Sequence, residues 1–203
     1  MTASGGAPGA IILAAGLSSR MGQPKMLLPW GRMTIIEQVV TTILEAGIEP
    51  PIVITGSGDE EIRALLANYP VHLIFNPRYA DGEMLHSLQA GIAVLDLQQQ
   101  QQCQAAFIVL GDQPQIQLST VKGLLQEYET KPSPLLIPSY QMHRGHPWLI
   151  GKELWGEILA LRLPRTLRDF LSDHLSLIQY LNLNTPTILS DLDTPEDYER
   201  SRP

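Results

Sequence analysis

Apolar residues recur along this chain in two alternating rhythms. Ile11 to Leu13 lies in the short continuous apolar run Gly9-Ala-Ile-Ile-Leu13, as expected of a strand buried on both faces. Met33 to Ala46 then sets Ile35, Ile36, Val39, Val40, Ile43 and Leu44 at helical spacing, with Gly47 as a suitable stop. Ile52 to Thr55 predicts a second strand, Asp59 to Asn68 a helix with Asp59 as its N-cap, and Val71 to Phe75 a third strand. Glu83 to Leu97 predicts a helix with Leu85, Leu88, Ile92 and Leu95 on one face. A fourth buried strand follows at Ala105 to Leu110, then a helix at Ser119 to Tyr128. Beyond residue 130 the pattern is less regular. Pro132, Pro134 and Pro138 break up the segment before a strand at Pro147 to Ile150. Helices are expected at Lys152–Leu161 and Thr166–Asp173, and a strand at Leu175–Leu181. The run Gln98 to Gln102 reads as a polar loop.

Strands alternating with helices predict βαβ units and a mainly parallel sheet. The 203 residues suffice for one domain with a sizeable core, expected to span 1–203 with 1–8 as a flexible lead-in. A hydrophobic content of 44% with mean hydropathy near zero fits a soluble globular protein. The longest apolar runs are too short to cross a bilayer, and the first residues carry neither a positive n-region nor a long h-region. A cytoplasmic location, away from membranes, is the expectation. The single cysteine, Cys103, excludes an internal disulfide or a cysteine-cluster metal site and reads as an incidental thiol.

Charge sharpens the picture. The net charge of −7 argues against a general nucleic-acid or anionic-membrane binder. The first 62 residues hold only three cations, Arg20, Lys25 and Arg32, all in or just after the loop that follows the first strand. Positive charge gathered at one glycine-containing loop of an acidic chain suggests a small anionic ligand there.

In open parallel sheets, ligands bind beyond the carboxyl ends of the strands. The loops after Leu13, Thr55, Phe75 and Leu110 should therefore share one edge. In the first, Gly16 and Gly22 permit positive φ or close backbone approach, and successive N–H groups can form an anion-binding concavity. Arg20 offers a bidentate contact to phosphate and Lys25 a point charge. The loop is neither GxxxxGK[ST] nor GxGxxG, and an ordinary strand-to-helix turn is the alternative reading. The fourth loop delivers Gly111-Asp112-Gln-Pro114, where Asp112 either binds Mg²⁺, which takes one or two carboxylates plus substrate phosphates, or bonds local backbone in a turn. In Asp191-Leu-Asp-Thr-Pro-Glu-Asp197, a capping box with Pro195 accounts for Thr194 to Asp197 but leaves Asp193 as a second candidate metal ligand. His143 and His146 lack nearby carboxylates in sequence, which disfavours zinc. No GxSxG or placed cysteine nucleophile is present. Trp30, Trp148 and Trp155 read as core or interface residues.

These residues also carry a resemblance. Leu13-Ala-Ala-Gly-Leu-Ser-Ser-Arg-Met-Gly-Gln-Pro-Lys25 resembles the LAAGxSxRMGxxK signature of the MobA-like nucleotidyltransferases, and within them the molybdenum cofactor cytidylyltransferase group. Asn76-Pro-x-Tyr79 with Gly82 to Gly91, Gly111 to Pro114, Arg144-Gly-His-Pro147 and Asp191 to Asp197 are similar to further family motifs. His86 departs from the usual serine, and Glu83-Met-Leu from the commoner Gly-Met-Ser. The resemblance implies a three-layer α/β/α, Rossmann-like nucleotide-diphospho-sugar transferase fold. It implies Mg²⁺-dependent transfer of a nucleoside monophosphate, CMP from CTP, to a phosphorylated acceptor such as molybdopterin, with release of pyrophosphate. Leu13, Ala14, Ala15, Gly16, Ser18, Ser19 and Gly22 would cradle the nucleotide, with Arg20 and Lys25 on the triphosphate. Asp112, beside Gly111, and Asp193 would hold the metal. Thr55 and Gly56 would lie near base or ribose, while the run from Gly82 to Ser87 and the motif from Arg144 to Pro147, with His146, would serve the acceptor side. For Arg144 a solvated surface cation is the alternative. The competing expectations are guanylyl transfer, a sugar-phosphate acceptor, or a non-catalytic nucleotide-binding accessory that meets a molybdoenzyme or maturation factor. Leu13-Ala-Ala-Gly16 in place of LAGG leans, by resemblance, toward cytidylyl transfer.

Overall fold

The first apolar run becomes β1 (Gly9–Ala14), buried along its whole length. Ala10, Ile12 and Ala14 pack into one hydrophobic layer while Ile11 and Leu13 pack into another, the two-residue alternation of a strand in the middle of a sandwich. The structure, a computed structural model, describes residues 6–81, 84–98 and 103–203. Gly82, Glu83 and the glutamines at 99–102 lie outside the described residues, as does the first part of the expected lead-in.

In chain order the strands are β1, β2 (Pro29–Trp30), β3 (Met33–Thr34), β4 (Ile52–Thr55), β5 (His72–Phe75), β6 (Ala105–Leu110), β7 (Leu135–Tyr140), β8 (His143–Arg144), β9 (Trp148–Gly151) and β10 (Ile178–Asn182). The helices are α1 (Ile35–Glu45), α2 (Asp59–Leu65), α3 (Met84–Gln98), α4 (Leu118–Thr130), α5 (Trp155–Ala160), α6 (Leu167–Asp173) and α7 (Pro195–Ser201). One sheet runs β10-β7-β9-β6-β1-β4-β5, with β8 attached to β7, while β2 and β3 form a separate hairpin. β5, β4, β1 and β6 are mutually parallel, and β7 pairs in parallel with β10. β9 runs against both β6 and β7. Strand order reverses beside β1, where the chain crosses first to β4 and later to β6; that switch point opens a crevice at the carboxyl ends.

Helices cover both faces, so the three-layer α/β/α, mainly parallel architecture expected from the sequence is the observed one. Ile35, Ile36, Val39, Val40 and Ile43 of α1 join Ile62 of α2 and Val121 and Leu124 of α4 on one face. Leu85, Leu88, Ile92 and Leu95 of α3, with Ile158 and Phe170, cover the other. Each such side chain, fully buried, contributes about 1.5–3 kcal/mol relative to exposure. Gly91 lets α3 lie directly on β1, because a Cβ there would fall 2.4 Å from Ile11 Cγ2. Among the described residues no helix is long and apolar enough to cross a membrane.

Several boundaries differ from the expectation. The segment cut by Pro134 and Pro138 is strand β7, buried over Leu135–Ser139. It tolerates Pro138 because β9 pairs only with Leu135 and Leu136; further on, the Pro138 carbonyl accepts Gly145 N–H at 2.9 Å and no donor is needed from the ring nitrogen. Asp59 is not the cap of α2. Gly58, at φ +78°, takes that place, and the Asp59 carboxylate instead accepts the Thr55 hydroxyl and Arg63 Nε at 2.8 Å. α1 starts at Ile35, since Thr34 caps it through a reciprocal pair with Glu37 and Met33–Thr34 belongs to the hairpin. The last strand begins only at Ile178, after a single turn at Leu175–Leu177. A single turn at Lys152–Leu154 likewise precedes α5.

Candidate active site

The loop leaving β1 folds back on itself. Ser18, at φ +51°, offers its carbonyl to Met21 N–H at 2.9 Å and its hydroxyl oxygen to Lys25 N–H at 3.2 Å. Met21 is buried beneath the loop, and Gly22 at φ +67° returns the chain to Pro24. The outcome is a cation delivered inward: Lys25 is 7% exposed, whereas the Arg20 side chain is 71% exposed.

An ammonium carries three donors. Lys25 Nζ meets Asp112 Oδ2, Leu192 O at 3.2 Å and Asp193 Oδ1 at 3.4 Å. One side chain thus ties together the loop after β1, the loop after β6 and the segment before α7. Arg20 adds a second tie to Asp193 Oδ2 at 2.9 Å. The C-terminal segment is also held from the β6 loop, where Gln113 Nε2 donates to Asp191 Oδ1 at 2.7 Å and Gln115 Nε2 to Ser190 O. Leu192 is fully buried between Asp191 and Asp193, so both carboxylates turn to the same side. Desolvation pushes the Asp191 carboxyl above the usual carboxylate range, and the charges of Asp112 and Asp193 push it further, against the Gln113 hydrogen bond and Lys25.

A cavity of about 430 Å³ opens over this cluster, within the size range of small-molecule sites. Of the residues expected from the sequence, Leu13, Ala15, Gly16, Ser18, Ser19, Arg20, Lys25, Ser87, Asp112 and Asp193 line it. Others are placed elsewhere. Ala14 is fully buried in the core. Gly111 is where β6 closes on β1, since a Cβ there would lie 2.9 Å from Leu13 O. Gly22 shapes the loop without lining the cavity. Thr55 is fully buried and gives its hydroxyl to Asp59, with Ile74 O at 3.3 Å. Gly56 sits beneath the site, where a Cβ would meet Tyr79 Cβ at 2.5 Å and Ala15 O at 2.7 Å. These two residues support the floor and make no wall. His146 stacks on Trp148 with ring centroids 4.4 Å apart, its buried Nδ1 has no hydrogen-bond partner among the described residues, and burial pulls the imidazole pKa down to about 4. The expected Gly82 contact lies outside the described residues. Met84, inside the expected run from Gly82 to Ser87, lines the cavity too, whereas Asp191 and Tyr79 also line it and were missed as site residues, although both stand inside motifs the sequence displays.

The carboxylates suit a divalent ion. Asp112 Oδ2 and Asp193 Oδ1 converge on one point, and a cationic nitrogen already stands there. Among the described residues no group of three or more His, Cys, Asp or Glu side chains is arranged to hold a metal ion unaided. Two carboxylates completed by substrate phosphates is the donor set of Mg²⁺ rather than of zinc.

Comparison with known proteins agrees with this geometry. The chain is 30% identical to the molybdenum cofactor cytidylyltransferase of Escherichia coli K12, over 93% of this chain and 92% of that protein. It is 26% identical to the nicotine blue oxidoreductase of Paenarthrobacter nicotinovorans, over 94% of each. Among solved structures it is similar to the Rv0371c protein of Mycobacterium tuberculosis H37Rv, with a TM-score of 0.81, 22% identity and 97% of each chain covered. A manganese complex of that protein matches with a TM-score of 0.75 at 22% identity, over 96% of this chain and 97% of that one. The profile of the MobA-like NTP transferase domain matches residues 10–178, from the first strand to the start of the last, and the chain therefore belongs to that family of nucleotidyltransferases.

Proposed function

We propose that this protein transfers a cytidylyl group from CTP to the phosphate of molybdopterin, releasing pyrophosphate with Mg²⁺ as the divalent ion. The observation that carries the reading is the convergence of Lys25 and Arg20 from one loop with Asp112 and Asp193 from two others at the mouth of the cavity. The 30% identity to a molybdenum cofactor cytidylyltransferase over nearly the full length of both chains supports the acceptor and the base. The manganese complex of the Rv0371c protein supports a divalent ion in this fold.

A phosphate acceptor is already a nucleophile, so the reaction needs positioning and charge stabilisation more than a base. The N–H groups of the Ala15–Gly22 loop, with Arg20 and Lys25, bind the triphosphate and neutralise the charge that grows on the departing pyrophosphate. Lys25 turns from the carboxylates to the phosphates as the nucleotide enters. Asp112 and Asp193 hold the metal, which supplies Lewis-acid stabilisation of phosphoryl oxygens when bound. The acidic wall of Asp112, Asp191 and Asp193 keeps anions out of that corner unless a cation accompanies them. We further place the protein in the cytoplasm, where CTP is available.

The test is a panel of the four NTPs with molybdopterin and Mg²⁺, read as pyrophosphate release. Release with CTP alone is expected. Release with GTP alone would make it a guanylyltransferase. Release only with a sugar phosphate would replace the acceptor, and Mg·CTP binding without release from any acceptor would support an accessory role.

A further inference from the structure

Asn76 follows β5 and is 3% exposed, with every polar group engaged. Its N–H donates to Thr55 O at 2.9 Å, and its carbonyl accepts Tyr79 N–H at 3.2 Å. The side chain bridges two fixed points. Arg78 N–H donates to Oδ1 at 2.9 Å, and Nδ2 donates to Ser87 Oγ, also at 2.9 Å. A main-chain N–H can only donate, so the atom facing Arg78 is the oxygen and the atom facing Ser87 is the nitrogen. The Ser87 oxygen is consequently an acceptor toward Asn76, and its single proton points elsewhere. Among the described residues no acceptor receives that proton. Ser87 is 5% exposed, yet it lines the cavity beside Tyr79 and Met84.

We propose that Asn76 is a positioning residue that keeps the Ser87 proton free to be donated into the cavity, to a proton-free ligand oxygen, either a pyrimidine carbonyl or a phosphoryl oxygen. This rests on the nucleotide reading above and adds the sense of one contact.

Asn76→Asp tests it. The carboxylate cannot donate, so Ser87 turns its proton onto residue 76 and away from the ligand. Ser87→Ala removes the donor outright. Binding is measured by calorimetry with CTP and, separately, with inorganic tripolyphosphate, and each variant's thermal midpoint is recorded. Each single variant is expected to weaken CTP binding by about three- to tenfold, the worth of one neutral hydrogen bond. The double variant is expected to bind no worse than Ser87→Ala alone, since both changes remove the same proton. An equal loss with tripolyphosphate assigns the oxygen to the phosphate tail. A loss with CTP only assigns it to the nucleoside, and either supports the proposal. Additive losses, or Ser87→Ala binding both probes as the wild type does, would overturn it while leaving the nucleotide site intact. A wild-type protein that binds neither probe would overturn this inference together with the reading beneath it.

Discussion

Lys25→Met removes the ammonium while keeping an apolar stem of similar length. The Lys25 side chain is 9% exposed, and its partners Asp112 and Asp193 are 19% and 36% exposed. Exposed pairs are worth about 0–1 kcal/mol, whereas removing one partner of a buried pair costs about 3–5 kcal/mol. This cluster lies between those limits. Asp193 keeps Arg20, Asp112 loses its charged partner, and Leu192 O loses a donor. The expected destabilisation without ligand is therefore about 2 kcal/mol. With a urea slope of about 2 kcal/mol/M, the midpoint at neutral pH falls by about 1 M with the slope unchanged. In the Lys25→Met/Asp112→Asn double variant part of the loss returns, with a coupling of about 1 kcal/mol. Added Mg²⁺ is expected to restore more stability to Lys25→Met than to the wild type, because the ion occupies the place between the two carboxylates. A midpoint within about 0.2 M of the wild type, with no coupling in the cycle, would refute the view that Lys25 holds the site together.

Other consequences are as direct. Asp112→Asn is expected to lower the rate of pyrophosphate release by about 10²–10³ at saturating nucleotide, the usual cost of one preorganised electrostatic group; an unchanged rate would remove Asp112 from the chemistry. Folded His146, held down to about 4, stays neutral while the unfolded imidazole, at 6.5, takes up a proton. The unfolded chain binds more protons between those values, so the contribution is fully present above pH 6.5 and is lost as pH falls toward 4, on the order of 3 kcal/mol in all. His146→Phe should flatten that part of the stability–pH curve, and a curve of unchanged slope would contradict the burial argument. Gly91→Ala places a methyl against Ile11 and should cost about 1–3 kcal/mol in chemical denaturation; a neutral effect would mean that α3 shifts freely over β1.

Strands β1, β4 and β6 were legible because each is a short apolar run buried on both faces, and half-exposed β5, at the sheet edge, because the run from Val71 to Phe75 still reads as extended; periodicity reads such runs without help from distant contacts. Strand β7 was not legible, since its prolines signal a break and only the local pairing pattern shows that Pro138 needs no donor. Asp59 looks like a cap in isolation, but Arg63 and Thr55 give its carboxylate a different use. At the site, the loop residues from Leu13 to Lys25 and Asp112 could be placed from strand ends alone. What sequence could not supply was the division between wall and floor. Thr55 and Gly56 sit at a strand's carboxyl end like the wall residues, yet Tyr79 and the Ala15 carbonyl close over Gly56, and Thr55 is fully buried with its hydroxyl turned to Asp59. Asp191 was hidden for the converse reason, because its role depends on Leu192 being buried and on Gln113 reaching across to it.

The central claim is that the Ala15–Lys25 loop grips the triphosphate while Asp112 and Asp193 share its divalent ion. Crystals grown with CTP and Mn²⁺ and measured for manganese anomalous scattering address it most directly. The expected map has the metal peak bonded to Asp112 and to phosphate oxygens, with Lys25 Nζ moved onto the phosphates. A manganese peak remote from Asp112, with the nucleotide outside the cavity and Lys25 still on its carboxylates, would contradict it.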